Sequence, residues 1–317
     1  MKLLRVGNIG SEKPALIDNE NKYRDLSSII TDLNPDTLNF ETLEKIKAIN
    51  VSKLPVLDSN LRIGACVSKP SKFIGIGLNF KDHAEEQNLP IPKEPIIFSK
   101  FTSCITGPND PIIVPKGSNH TDWEVELGFV IGKKAINVNI DRALDYVLGF
   151  FLVNDVSERN YQKNRGLTWD KGKGFDTFGP IGPYIITKDE LPDFQKLNMF
   201  LDVNGKRMQT GNTEQMIFDI KNLVSYMSSC MSLHPGDICC TGTPPGVGEN
   251  MKPPYFLKGG EEVVLGIDKL GQQKHKVVPF KDWFKISMIE LIIALGAGLI
   301  SFLSPCVLPL IPGYISY

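Results

Sequence analysis

Two glutamates, two residues apart in an otherwise apolar stretch, constrain this chain more than any other feature. The stretch is TDWEVELGFVIG, and the residues are Glu124 and Glu126. The valine, leucine, phenylalanine and isoleucine around them predict a strand, in which side chains alternate faces, so both carboxylates project from one side. Like charges held that close repel, and in a buried strand each must neutralise or find a cation. The next apolar run, YVLGFFLVNDVSER, ends by delivering a third carboxylate, Asp155. Three carboxylates with water completing the shell form a hard-cation site, suited to Mg²⁺ or Mn²⁺ rather than zinc. An exposed strand edge would carry E-x-E equally well, and the rest of the chain has to decide between the two.

Other stretches add chemistry. In KDHAEEQNL the chain turns helical, and His83 and Glu86, three apart, would share a face on which the carboxylate orients and polarises the imidazole. That makes a candidate base, with a plain surface helix pair as the alternative. The proline-rich NLPIPKEPIIF that follows is a candidate hinged lid. After Asp155, Gly172, Gly174, Gly179 and Gly182 with Pro180 and Pro183 prevent long regular structure and let the backbone approach a ligand. Of the other histidines, His120 reads as a loop residue, and His234 and His275 as structural or solvated.

Six segments together resemble the fumarylacetoacetate hydrolase family, in one order from about Lys72 to Val278: GIGLNFKDHAEE, TDWEVELGFVIG, VNDVSERNYQ, WDKGKGFDTFGPIGP, DVNGKRMQTGNTEQMIF and HPGDICCTGTPPGVG. The resemblance implies a metal-dependent enzyme acting on 2-keto or 2,4-diketo acids, with Mg²⁺ or Mn²⁺ on Glu124, Glu126 and Asp155. It further implies that His83 and Glu86 activate the attacking water and that Lys173 stabilises enolate charge, Lys171 being the competing lysine. Arg159 and Gln162 would contact substrate oxygens or fix the ligands, and Thr243 would bond the substrate carboxylate or keto oxygen. The expected reaction is carbon–carbon bond cleavage of a 2,4-diketo acid to pyruvate and a second acid. Most similar is the sugar-acid branch, which acts on 2,4-diketo-3-deoxy-rhamnonate or -fuconate and is often labelled ureidoglycolate lyase. Ureidoglycolate lysis and oxaloacetate decarboxylation would use the same site, and a non-catalytic scaffold would need no site at all.

Many short strands, few helices and glycine-rich connections predict an α+β chain with a β-rich main domain; the resemblance implies the family's mixed β-roll, as a homodimer. Residues 1–65 read as a small N-terminal α/β domain whose helix, around TLNFETLEKIKAI, Asp36 could cap, and residues 66–280 as the catalytic domain. Lys and Arg number 35 against 36 for Asp and Glu, which offers a polyanion nothing and argues against nucleic-acid binding. The opening MKLLRVGNIGSEK lacks the apolar core of a signal peptide, so a cytoplasmic enzyme is expected. The six cysteines lack C-x-x-C spacing, as expected of reduced core residues. Residues 285–317 depart from all of this: the apolar run from Leu291 to Leu303 resembles a membrane-type helix, and SFLSPCVLPLIPGY resembles the first membrane helix of the cytochrome c biogenesis thiol–disulfide transporters. This tail is expected to be the start of a neighbouring protein joined by read-through or a reading-frame error, with a membrane anchor or a dimer-covering apolar helix as competing readings. Truncation after Phe284 tests it.

Overall fold

Two strands of the chain, Val125–Ile131 and Val147–Asn154, are buried at every position, which a strand achieves only in the middle of a sheet covered on both faces. The computed structural model describes residues 1–281 and, in the tail, residues 288, 292, 293, 295 and 296. It places those two strands at the centre of a ten-stranded sheet. In chain order its strands are β1 (Lys2–Val6), β2 (Lys13–Ile17), β3 (Tyr23–Asp25), β4 (Val56–Leu57) and β5 (Phe73–Gly77). Then follow β6 (Ile96–Lys100), β7 (Val125–Ile131), β8 (Val147–Asn154), β9 (Ile185–Thr187) and β10 (Ile238–Cys240). The spatial order is β4-β3-β2-β1-β9-β8-β7-β10-β5-β6. All hydrogen-bonded pairs are antiparallel except β10 with β5, which is parallel.

The segment expected to stand apart, residues 1–65, therefore extends the sheet that carries the E-x-E strand: β1 pairs with β9, Lys2 opposite Ile186. No local pattern in the sequence announces a partner so far along the chain. Its helix α1 (Phe40–Lys47) is capped by Asn39, whose side chain accepts from the Thr42 amide at 2.9 Å, and not by Asp36. The cap belongs one residue before the first helical turn, where a side-chain oxygen reaches the third amide. Leu43 and Ile46 of α1 are buried on the sheet face that also holds Leu3, Leu148 and Ile185. Burying each such side chain contributes about 1.5–3 kcal/mol.

The opposite face packs on a second, five-stranded sheet, in the order 206–212, 198–203, 262–267, 271–279, 112–114, and on α5 (Ile220–Cys230). Leu127, Phe129, Leu152, Leu201 and Leu265 share this core with Leu223 and Met227 of α5. The Asn204-Gly205 turn joining 198–203 to 206–212 has positive φ at both residues, 50° and 75°, as a two-residue hairpin requires.

Odd residues of β7 feed this core, so Glu126 and Gly128 face the other way. Of the six cysteines, Cys66, Cys104, Cys239 and Cys240 are buried thiols, whereas Cys230 is exposed on α5. Cys306 lies outside the described residues, and so does the expected apolar C-terminal helix and membrane-like tail of residues 285–317 except for the five tail residues named above. Among the described residues no helix is long and apolar enough to cross a membrane.

Candidate active site

Helix α2 (Lys81–Glu86) follows β5 and carries the His83–Glu86 pair on one face. His83 Nδ1 stands 3.0 Å from Glu86 Oε2, and His83 Nε2 stands 2.6 Å from the Gln87 amide nitrogen. Gln87 donates there, so Nε2 accepts and Nδ1 carries the proton that points at the carboxylate. The lone pair fit to act as base is thus on Nε2. Glu86 is held from the far side by the loop after β10, accepting from the Gly246 amide at 3.1 Å and from Asn250 Nδ2 at 2.9 Å. Burial opposes its charge, but the bonds from His83 and Asn250 outweigh it and keep Glu86 below the usual carboxylate range.

Behind this pair lies a buried lattice of charge. Glu124 immediately precedes β7, and its two oxygens meet Arg159 Nη1 and Lys173 Nζ, each at 2.7 Å. Asp155 follows β8; its Oδ2 meets the same Lys173 Nζ at 2.7 Å and its Oδ1 meets Lys100 Nζ at 2.5 Å. Lys100 also donates to the Lys173 carbonyl at 2.5 Å. Among the described residues Glu126 has no cation of its own and accepts only the Gly242 amide, at 2.7 Å. Gly242 reaches it with φ +94°, and a Cβ there would meet Asn79 at 2.9 Å, so only glycine makes this approach.

The electrostatics separate the carboxylates. Burial works against the charge of Glu124, yet Lys173 and Arg159 hold it well below the ordinary range. Burial, and then the charges of Asp155 and Glu124, push Glu126 well above it. Burial disfavours the Lys173 ammonium, but Asp155 and Glu124 raise it above its usual value. Groups pushed apart in this way mark a functional cluster. An oxygen each of Glu126 and Asp155, with the Cys240 sulfur, lies within 4.8 Å of the others. Glu124 shares Lys173 with Asp155, which puts its carboxylate beside the same point.

The predicted residues converge. His83, Glu124, Glu126, Arg159, Gln162, Lys173 and Thr243 line one cavity of about 200 Å³, with Glu86 and Asp155 bonded directly to its walls. Arg159 and Gln162 lie on α3 (Arg159–Lys163) and Lys173 ends α4 (Asp170–Lys173). The two helices touch at Gly172, where a Cβ would sit 2.5 Å from the Gln162 amide. Arg159 Nε binds Asp122 at 2.8 Å and its Nη1 also binds Gln162 Oε1 at 3.0 Å, while among the described residues its buried Nη2 has no partner. Lys171 is exposed and turns to the Arg165 carbonyl. The Thr243 hydroxyl is spent inside the protein, donating to the Val125 carbonyl at 2.9 Å and accepting from Gln209 at 2.8 Å. To bond a substrate oxygen, as expected of it, this hydroxyl would have to exchange the Val125 carbonyl for the substrate. His275 is buried between the Asp110 carbonyl and Gln273, and His120 packs on Phe256.

Sequence reasoning missed Asp122, Lys100, Gln87 and Cys240. Asp122 is fully buried and also accepts the Gly248 and Glu249 amides at 2.7 and 3.0 Å. Its spacing of two from Glu124 was the available signal, as was that of Lys100 from the buried Phe98 on β6. A larger groove, about 810 Å³, runs along the outer edge of β6 past Phe73, Phe101, Leu167 and Trp169; the clustered ionisable groups belong to the small cavity.

Comparison with known proteins gives the family. The family model "Fumarylacetoacetate (FAA) hydrolase C-terminal" matches residues 72–278. A protein of Burkholderia ambifaria, named only as a hydrolase, is 56% identical over 274 residues, 86% of this chain and 97% of that relative. The solved fumarylacetoacetate hydrolase of Exiguobacterium antarcticum is 30% identical with a TM-score of 0.76, covering 88% of this chain and 99% of that one. The maleylpyruvate hydrolase of Sphingobium sp. SYK-6, solved with manganese(II) and pyruvate, is 26% identical with a TM-score of 0.73 at the same coverage. A family match across most of the chain, with its motif positions gathered on one cavity, places this chain in the fumarylacetoacetate hydrolase family.

Proposed function

We propose that this chain is a divalent-metal-dependent hydrolase that cleaves a carbon–carbon bond of a 2,4-diketo acid, releasing pyruvate and a second acid. The observation that carries the metal is Glu126, a buried carboxylate that among the described residues has no cation, beside two others whose cations are already shared. Such a group takes up a proton or a metal ion, and the all-oxygen set of Glu124, Glu126 and Asp155 suits Mg²⁺ or Mn²⁺. The manganese and pyruvate in the maleylpyruvate hydrolase support the same reading. When bound, the ion supplies Lewis-acid polarisation of a keto oxygen and a template for the adjacent carboxylate.

The protein's own groups do the rest. Arg159 Nη2, buried and unpartnered beside the cavity, receives the substrate carboxylate. His83 Nε2 takes the proton of the attacking water, and Glu86 holds Nδ1–H and stabilises the imidazolium that forms. Lys173 sets its ammonium beside the enolate charge that develops as the carbon–carbon bond breaks. His83 then returns its proton to the departing enolate carbon. Within the class we favour a 2,4-diketo-3-deoxy sugar acid, whose hydroxyls Gln87, Lys163 and Glu249 on the cavity wall could bind, and a homodimer as the working form.

One observation favours a second reading. Gln87 covers His83 Nε2 at 2.6 Å, and decarboxylation of oxaloacetate needs no activated water. Pyruvate release with Mg²⁺ or Mn²⁺ across diketo sugar acids, acylpyruvates and oxaloacetate, with urea release from ureidoglycolate alongside, tests the proposal. Turnover of diketo acids supports it, decarboxylation or urea release alone replaces it, and no turnover on any of them points to a non-catalytic scaffold.

A further inference from the structure

Cys240 ends β10 on the sheet face that carries Glu126. Its partner across the ladder is Gly128 of β7, two residues beyond Glu126, so thiol and carboxylate are diagonal neighbours with no side chain between them. The sulfur, an oxygen of Glu126 and an oxygen of Asp155 all lie within 4.8 Å of one another, and all three residues are buried. Glu126 bonds through Oε2 alone, and among the described residues its Oε1 takes no hydrogen bond while the residue lines the cavity. Two carboxylates and a sulfur, of which Glu126 lines the cavity, differ in kind from an oxygen-only set. Thiolate is a soft donor that favours zinc and its heavier congener cadmium, which the hard ions Mg²⁺ and Mn²⁺ do not match.

We infer that Glu126, Asp155 and Cys240 form a second ligand set within the site, which takes a thiophilic divalent cation, Zn²⁺ or Cd²⁺, in competition with the hard ion. On binding, the S–H bond breaks, a metal–sulfur bond forms, and the thiol proton leaves to solvent; no electron moves. Zinc is then an inhibitor that holds the carboxylates the reaction needs. The inference deepens the proposed metal reading, because Glu126 and Asp155 serve both ions, but it does not depend on which keto acid is cleaved.

The test uses the full chain stripped by a chelator and titrated with CdCl₂ while thiolate-to-cadmium charge-transfer absorbance is followed in the ultraviolet. Wild type, Cys240→Ser, Cys240→Ala and, as a control for an exposed thiol, Cys230→Ser are compared, with circular dichroism reporting folding. The band should saturate at one Cd²⁺ per chain in wild type and Cys230→Ser and vanish in both Cys240 variants. Their Cd²⁺ affinity relative to Mn²⁺ should fall about tenfold or more, the loss that removing even an outer partner of a metal site causes. Persistence of the band in a folded Cys240 variant, or Cd²⁺ binding to wild type with no band, overturns the inference. Mn²⁺ binding, read by paramagnetic resonance in the same samples, keeps the two proposals apart: Mn²⁺ bound without a thiolate band refutes this inference and leaves the proposed function standing, and a thiolate band without Mn²⁺ binding does the reverse.

Discussion

Replacing Glu126 by glutamine removes one negative charge from the most crowded point of the site and keeps the side chain's shape. Without metal, burial and the charges of Asp155 and Glu124 push the Glu126 carboxyl well above its ordinary range. In the unfolded chain a glutamate loses its proton near pH 4.3 (roughly), whereas the folded cluster holds it to higher pH. Between those two points the native state binds one proton more than the unfolded state, so stability falls as pH rises through the window. For one proton the slope is about 1.4 kcal/mol per pH unit. The proton belongs to the coupled carboxylates as a set. Glutamine has none to lose, and its side-chain oxygen can still accept the Gly242 amide that Glu126 takes at 2.7 Å. In chelator, urea unfolding followed by tryptophan fluorescence from pH 5 upward should therefore show Glu126→Gln gaining on wild type by about 1.4 kcal/mol per pH unit. Added Mg²⁺ should reverse the order, since an ion at a hundredfold its Kd stabilises wild type by about 2.7 kcal/mol and the variant hardly at all. Parallel pH profiles in chelator, or equal stabilisation of both proteins by Mg²⁺, would refute the reasoning.

Three further outcomes follow from the geometry. His83→Ala should cost diketo-acid hydrolysis about 10²–10⁴ in kcat and oxaloacetate decarboxylation much less; equal losses in steady-state assays would remove His83 from water activation. Arg159→Lys loses the unpartnered Nη2 and should raise the keto-acid KM by roughly 10- to 100-fold, matching about 1.5–3 kcal/mol for a hydrogen bond to a charged group; an unchanged KM would place the carboxylate elsewhere. Lys100→Met removes one partner of a fully buried ion pair and should destabilise the protein by about 3–5 kcal/mol in urea unfolding, a loss under about 1 kcal/mol showing that Lys173 alone satisfies Asp155.

What could be read beforehand was whatever is local. Strand alternation set Glu124 and Glu126 on one side and helical spacing put His83 over Glu86, because each depends on residues a few positions apart. The cations that neutralise the acids were another matter. Lys100 meets Asp155 only because β6 is the edge partner of β5 while Asp155 follows β8, and Cys240 meets Glu126 only because β10 lies between β5 and β7. Sheet order of that kind is decided by long-range packing, and the spacing of two between Phe98 and Lys100 puts them on one face of β6 without saying which acid Lys100 meets there. The partner of the Thr243 hydroxyl could not be read for a related reason: its acceptor, the Val125 carbonyl, lies on a different strand.

Lys173 has two proposed tasks that it cannot perform at once. It bonds Glu124 and Asp155 at 2.7 Å each, whose oxygens the proposed divalent ion would need, and it is also the group proposed to face the enolate. A cation entering among these carboxylates repels the ammonium and takes over part of its anions. Released from them, Lys173 can turn its charge to a keto acid in the cavity. Ion and substrate should therefore bind cooperatively, and linkage requires the coupling to be the same in both directions. Calorimetric titration of pyruvate into the chelated and the Mn²⁺-loaded protein should show tighter binding with the ion, and Mn²⁺ titrated with and without pyruvate should gain by the same factor. Part of that coupling will come from direct contact between ion and pyruvate, so Lys173→Met isolates the lysine's share. In that variant Mn²⁺ should bind the pyruvate-free protein more tightly than it binds wild type, while the coupling shrinks. Weaker Mn²⁺ binding by a folded Lys173→Met protein would mean that the ammonium helps to assemble the ion's ligands and does not compete for them.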